Sequence, residues 1–466
     1  MSNGGEPARL RVEEVRLYER DVRLRLPFRF GVVTLTESPQ LFAHVRVRTA
    51  DGREGWGVAA EMLAPKWFDK NLELSNEDNF DQLRRAVRVA AGLYRDAGEA
   101  TPFALYQGNY AEQIRRCGKQ GDGPLVACYG PALLDRAVLD ALCRLDDVSF
   151  YDAVRANRPG LDAAAVGEEL DMDGFLAGLR PAPSIHARHT VGLVDPIHDQ
   201  PERVDDGLPE TLCEVIAAYG HRYFKIKVGG DVMADVARLT EIAAALDEIA
   251  GDYVISLDGN EQYDDVAGVA ALLDAMQATP ALDRFNRSIL FIEQPISRAA
   301  ALEVDVSALS ARWPVIIDES DATLDAFPRA RALGYRGVSS KSCKGLYKSM
   351  INAARCARWG AGYFMSAEDL TTQAGVCVQQ DLALVNLLGI AHVERNGHHY
   401  VNGMTGVPEA EQLAFLEAHP DLYHRADGVV RLTIHDGRIA LGSLDRPGFA
   451  VGALPEFAAM KEMADG

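Results

Sequence analysis

The sequence predicts an α/β protein: a modified (β/α)8 (TIM-like) barrel behind an N-terminal α+β capping domain. Three observations predict it. From about residue 185 short apolar runs alternate with helical stretches, and eight such runs fall within about 210 residues, the count and spacing of a barrel. Before that point strands give way to a run of helices instead. No G-x-G-x-x-G follows the first strand, which disfavours a doubly wound open sheet.

At 466 residues the chain exceeds one average domain. The expected division is residues 1–184 as the cap, residues 185–425 as the barrel and residues 426–466 as a tail. The cap opens with strands from Val12 to about Gly57. There LFAHVRVRT alternates, with Leu41, Ala43, Val45 and Val47 on one side, and runs into the turn signal Asp51–Gly52. From about Glu77 to Ala156 the period becomes helical, as Leu133, Ala137, Leu142 and Leu145 show. Residues 158–184, rich in Gly, Pro and acids, read as an inserted loop or short helix. The barrel strands are expected in ARHTVGLVD, YFKIKV, YVISLD, ILFIEQP, PVIIDES, GVSSK, GYFMSAE and IAHVERN. Stretches such as MADVARLTEIAAALDEIA supply the helices between them. The segment VVRLTIHDGRIALGSLDRPGFAVG reads as a hairpin that leaves the barrel.

Charge excludes some partners. With 48 basic and 68 acidic side chains the net charge is −20, so neither nucleic acid nor an anionic membrane is an expected partner. A small anion in a locally basic pocket is compatible with it. The first twenty residues lack the apolar core of a signal peptide, and no run approaches membrane-spanning length, so a cytoplasmic protein is expected. Seven cysteines, an odd number without a C-x-x-C pair, suit a reducing compartment and argue against zinc. A homo-oligomer is the expected assembly.

Chemistry is signalled by charges placed where apolar strands end, the rim on which barrel enzymes carry their reacting groups. Lys225 and Lys227 in FKIKV are two apart and so share a face. Asp258 in SLDGN, Glu293 in FIEQP and Asp318 in IIDES follow on the next strands. Three bare carboxylates repel; an oxygen-only cluster of this kind suits a hard divalent cation, Mg²⁺. Lys341 closes GVSSK on strand six, across the lumen from Lys227. Each element has a bland reading alone: K-I-K as an edge strand, D-G-N as a turn, E-Q-P as a strand stopped by its proline. Their order on consecutive strands is what carries the signal.

That ordered set resembles the enolase superfamily, in the group of muconate lactonizing enzymes, mandelate racemases and dipeptide epimerases, over nearly the whole chain. The resemblance implies that Asp258, Glu293 and Asp318 bind Mg²⁺, with Lys227 and Lys341 as acid/base groups. It implies that Lys225 lowers the pKa of its neighbour and that Glu319 contacts Lys341. Asn260 matches a position that supports the metal shell, and Glu368 the strand-seven acid of the muconate-lactonizing branch. Both count as candidate substrate contacts. The tail ending DRPGFAVG resembles one that returns to the cap. Strand seven has no histidine; His392, His398 and His399 come later, which separates the chain from the branch with an Asp–His dyad. The segment near ATPALDRFNR is longer than the resemblance leads one to expect, and SCKGLYKS lacks the usual double glycine.

The implied reaction removes the α-proton of a small carboxylate substrate, leaving an enediolate. A lysine acts as base there only if its pKa falls from about 10.4 toward neutrality. Two opposed lysines allow racemisation or epimerisation; one base suffices for cycloisomerisation or elimination. A Schiff-base lyase or aldolase and a non-catalytic barrel that kept its pocket stay open as alternatives. Substrate choice is expected from cap residues 27–38 and 56–67, with Phe28, Phe30, Glu61, Lys66 and Trp67 as candidates, although such aromatics more often belong to a core.

Overall fold

The computed structural model describes residues 6–30, 33–200, 202–368, 373–396 and 399–463. The chain starts in the cap with β1 (Leu10–Arg20), β2 (Arg23–Phe30), β3 (Val33–Glu37), β4 (Gln40–Thr49) and β5 (Glu54–Met62). β4 lies between β1 and β5, all antiparallel, while β2 and β3 form a hairpin of their own. The alternation read in β4 is the burial pattern: Leu41, Ala43, Val45 and Val47 are fully buried. Helices α1 (Asn76–Asp96) and α3 (Pro124–Leu145) cover that face, with α2 (Pro102–Gly118) packed against them. A capping box of Ser75 and Asp78 starts α1. α3 is buried along nearly its whole length. β5 can approach it only because Gly57 lacks a side chain; a Cβ there would meet the Ala137 carbonyl at 2.1 Å.

The eight barrel strands are those the sequence marks. They are β6 (Ser184–Val191), β7 (Tyr223–Lys227), β8 (Val254–Asp258), β9 (Ile289–Glu293), β10 (Val315–Ile317), β11 (Gly337–Ser340), β12 (Phe364–Ala367) and β13 (His392–Glu394). Neighbours in sequence pair in parallel from β6 to β12, and β13 returns to β6. No ladder joins β12 to β13 among the described residues. Arg188 on β6 reaches across that seam, donating to Ser366 Oγ and the Ala367 carbonyl at 3.0 Å each. Helices such as Val232–Asp247, Val266–Gln277 and Leu346–Trp359 form the outer layer.

Residues 158–184 hold a 3-10 turn, Ala163–Val166, and a short helix, Met172–Gly178. The tail differs from the expected single hairpin. β14 (Tyr423–Ala426) pairs with β15 (Val429–Leu432), and β16 (Arg438–Ala440) joins the barrel sheet antiparallel to β6. The reason lies in β6: its ladder with β7 begins only at Arg188, so the edge from Ser184 to His186 is open to β16. The chain then reaches the cap, where Phe449 stacks on Phe150 at 3.8 Å and β17 (Lys461–Glu462) pairs with β1. Among the described residues no helix is long and apolar enough to cross a membrane.

Candidate active site

Strand alternation turns Phe224 and Ile226 into the outer core and Lys225 and Lys227 into the lumen, all four buried. Register supplies their partners. Lys227 is the ladder neighbour of Asp258, and Asp258 of Glu293. Glu293 lies opposite Ile316, so Asp318, two residues on, continues the same face. Lys225 Nζ stands 2.9 Å from Asp258 Oδ2, 2.9 Å from Glu293 Oε2, 2.7 Å from Glu368 Oε2 and 3.1 Å from Glu394 Oε2. Burial disfavours its ammonium, but these four carboxylates outweigh burial and hold its pKa well above the lysine range.

The two other lysines border the cavity. Lys227 Nζ is 2.6 Å from both Asp258 Oδ2 and Asn260 Oδ1. Lys341 pairs with Asp318 and lies under the Trp67 ring, 4.6 Å from its centroid. Burial opposes this ammonium too, and Asp318 overcomes it, raising the Lys341 pKa. Asp318 also accepts from Lys344 Nζ at 3.1 Å, so two ammonium groups share one carboxylate. The cavity measures about 30 Å³ and is lined from the barrel by Lys225, Lys227, Asp258, Asn260, Lys341 and Glu394. Phe28, Phe30, Leu35, Ala64 and Trp67 close it from the cap. Its volume is on the scale of a water-sized occupant.

The donor set fits a hard cation. Glu293 Oε2 is fully buried and receives no well-directed hydrogen bond, and the Lys225 ammonium 2.9 Å from it is shared with Asp258, Glu368 and Glu394. Burial, with the charges of Asp258 and Glu368 added, pushes the Glu293 pKa well above the carboxylate range. That carboxylate has only a share of the Lys225 ammonium, whereas Asp258 and Asp318 each meet two lysines, so it is the least compensated of the three. Among the described residues no three such side chains converge as a ready cage. Lys225, Lys227, Lys341 and Lys344 hold the oxygens of Asp258 and Asp318, and a cation would have to displace them.

Three expected placements differ. Glu319 accepts from Asn260 Nδ2 at 3.1 Å, whereas the Lys341 ammonium is taken by Asp318. Glu368 does not line the cavity; it pairs with Arg188 and Lys225 behind it. Of the cap candidates, Glu61 is 2.9 Å from both Arg136 Nη2 and Ser342 Oγ, and Lys66 donates to the Asn71 carbonyl at 2.9 Å. Both are taken up in the scaffold. His398 falls outside the described residues. Sequence reasoning missed Arg188, Glu394 and Lys344. Glu394 ends a strand exactly as Glu293 does and the same rule applied to IAHVERN would have found it, whereas nothing local marks Lys344.

A family model, Enolase C-terminal domain-like, matches residues 208–455. The chain belongs to that family, within the enolase superfamily. Among curated relatives, the D-Ala-D/L-Ala epimerase of Cytophaga hutchinsonii is 22% identical over 312 residues, 66% of this chain and 66% of the relative. The chain thus spans just under two thirds of that relative. The hydrophobic dipeptide epimerase of Citrifermentans bemidjiense is 25% identical over 345 residues, covering 72% of this chain and 75% of the relative. Among solved structures, an enolase superfamily member from Roseovarius nubinhibens ISM, complexed with magnesium, superposes with a TM-score of 0.56 at 17% identity. That match covers 98% of this chain and 99% of the other, and it supports the fold.

Proposed function

We propose that this superfamily member is a Mg²⁺-dependent isomerase that moves the α-proton of a small carboxylate through an enediolate, racemising or epimerising its substrate. The observation that carries the reading is that Lys227 and Lys341, from strands two and six, border one cavity from opposite sides. A base on one side removes the proton while an ammonium on the other returns it, which inverts the carbon between them. Epimerase names among the relatives support this over cycloisomerisation or elimination. Asp258, Glu293 and Asp318 would hold the cation. When bound, it supplies a Lewis acid for the substrate carboxylate and its developing charge. Lys225, kept charged by its carboxylates, adds a fixed positive potential beside Lys227. The apolar wall of Phe28, Phe30 and Trp67 excludes water. A cytoplasmic setting agrees with seven free thiols.

The test is a screen of carboxylates, alanyl dipeptides included, in D₂O with Mg²⁺, following α-deuterium by NMR. Exchange is expected in the native protein and none in the Lys227→Ala/Lys341→Ala double variant; full activity in that variant defeats the reading. Calorimetry should show Mg²⁺ binding lost in Asp258→Asn and in Glu293→Gln with the fold retained. Unchanged affinity in both removes the metal assignment.

A further inference from the structure

We propose that Glu261, Arg298 and Lys70 form a positioning triad that holds both candidate bases at once, Lys227 through Asn260 and Lys341 through Trp67. The proposal rests on the two-base reading above. It starts from backbone strain: Asn260 and Glu261 are consecutive non-glycine residues with φ of 39° and 64°. Such a pair persists only where its surroundings over-determine it.

The Glu261 side chain, 4% exposed, does so. Its carboxylate accepts from Arg298 Nε at 3.0 Å, from Arg298 Nη2 at 2.9 Å and from the Arg298 backbone N–H at 2.5 Å. Lys70, arriving from the cap, is 2.7 Å from Glu261 Oε2 and donates to the Asn260 carbonyl at 2.5 Å. The turn fixed in this way aims Asn260 Oδ1 at Lys227 Nζ.

The same guanidinium works in the other direction. Arg298 Nη1 donates to the Phe68 carbonyl and Nη2 to the Trp67 carbonyl, both at 2.9 Å. These carbonyls belong to the cap turn that sets the Trp67 indole over Lys341, and Lys66, just before it, is itself left-handed at φ 60°. Only a planar fork with five donors can serve a carboxylate and two carbonyls together; a lysine cannot. The triad borders a cleft of about 680 Å³ at the cap–barrel seam, while Asn260 and Trp67, the groups it holds, line the inner cavity.

The experiment compares Arg298→Lys and Glu261→Gln with Asn260→Ala and Trp67→Leu. It measures α-deuterium exchange into D-Ala-D-Ala and D-Ala-L-Ala, or into whichever epimeric pair the carboxylate screen finds. Asn260→Ala should slow chiefly the half-reaction that needs Lys227, and Trp67→Leu chiefly the one that needs Lys341. Arg298→Lys and Glu261→Gln should slow both by about 10- to 100-fold, in kcat rather than KM, the scale of a misplacement near 1 Å. Thermal midpoints should stay within a few degrees of the native value, which a merely structural role would not allow. In a background with Trp56, Trp313 and Trp359 replaced by Phe, Arg298→Lys should open Trp67 to acrylamide quenching. Both half-reactions staying within about twofold of native, or only one of them slowing, overturns the proposal. If the native protein exchanges no α-proton, the two-base reading has failed. Quenching then decides separately: a shielded Trp67 in Arg298→Lys sinks the triad, and an exposed one sustains it.

Discussion

Lys227 and Lys341 face the same cavity from unlike surroundings. Lys227 shares Asp258 with Lys225 and meets an amide oxygen, whereas Lys341 shares Asp318 with Lys344 beneath an indole ring. On the Lys341 side the cation is stabilised by a carboxylate and by the ring face together. Two-base inversion needs one group to begin protonated and the other not. The surroundings of Lys341 suit it to begin as the donor, so the two directions of the reaction should respond differently to the same change.

The sharpest way to break that comparison is to remove each base alone. Lys227→Ala and Lys341→Ala should each cost about 10²- to 10⁴-fold in turnover, and each should leave α-exchange from a different stereoisomer. If both variants exchange the same isomer, the opposed arrangement is wrong. Glu61→Ala acts on the Lys341 side through Ser342 and leaves fully buried Arg136 unpaired. Denaturant unfolding should show a loss of about 3–5 kcal/mol; a loss under about 1 kcal/mol would mean that this ion pair carries little of the cap–barrel junction. Behind the Lys227 strand lies His221, whose pKa burial depresses from 6.5 to about 4 against the opposing hydrogen bond to the Ala187 carbonyl. A depressed folded-state pKa means stability that is whole above pH 6.5 and is lost as pH falls through about 4. His221→Gln should flatten that acid limb by about 3 kcal/mol. Equal slopes in the two proteins would remove His221 from the account. Smallest is Lys344→Met, which takes one of two ammonium groups from Asp318. The Lys341 half-reaction should change about tenfold while the Lys227 half-reaction holds within about twofold. Equal changes in both would erase the distinction between the two sides.

The barrel was legible because its periodicity and its punctuation agree. All eight strands fall where alternating apolar runs predict them, and the ladder register places Asp258, Glu293 and Asp318 on one face as their strand-end positions require. Spacing alone put Lys225 and Lys227 on one face; their burial beside Asp258 shows that this face is the lumen. The seam could not be read. Arg298 reaches the carbonyls of Trp67 and Phe68 across about 230 positions of sequence, and no local pattern encodes such a contact. Glu319 shows the opposite limit: the resemblance implied a contact with Lys341, but its carboxylate accepts from Asn260 instead. The split of the tail between barrel and cap depended on an open edge of β6, a property of ladder lengths in three dimensions.

That tail also has a bearing on synthesis. β1 is made well before its outer neighbour β17, which lies about 440 positions further along the chain. β16, which fills the open edge of β6, is likewise made late. A nascent chain can therefore assemble the cap helices and most barrel strands while two sheet edges still wait for their partners. Unpaired edges of this kind invite other chains, so the interval before β16 and β17 are made is a period of exposure to aggregation.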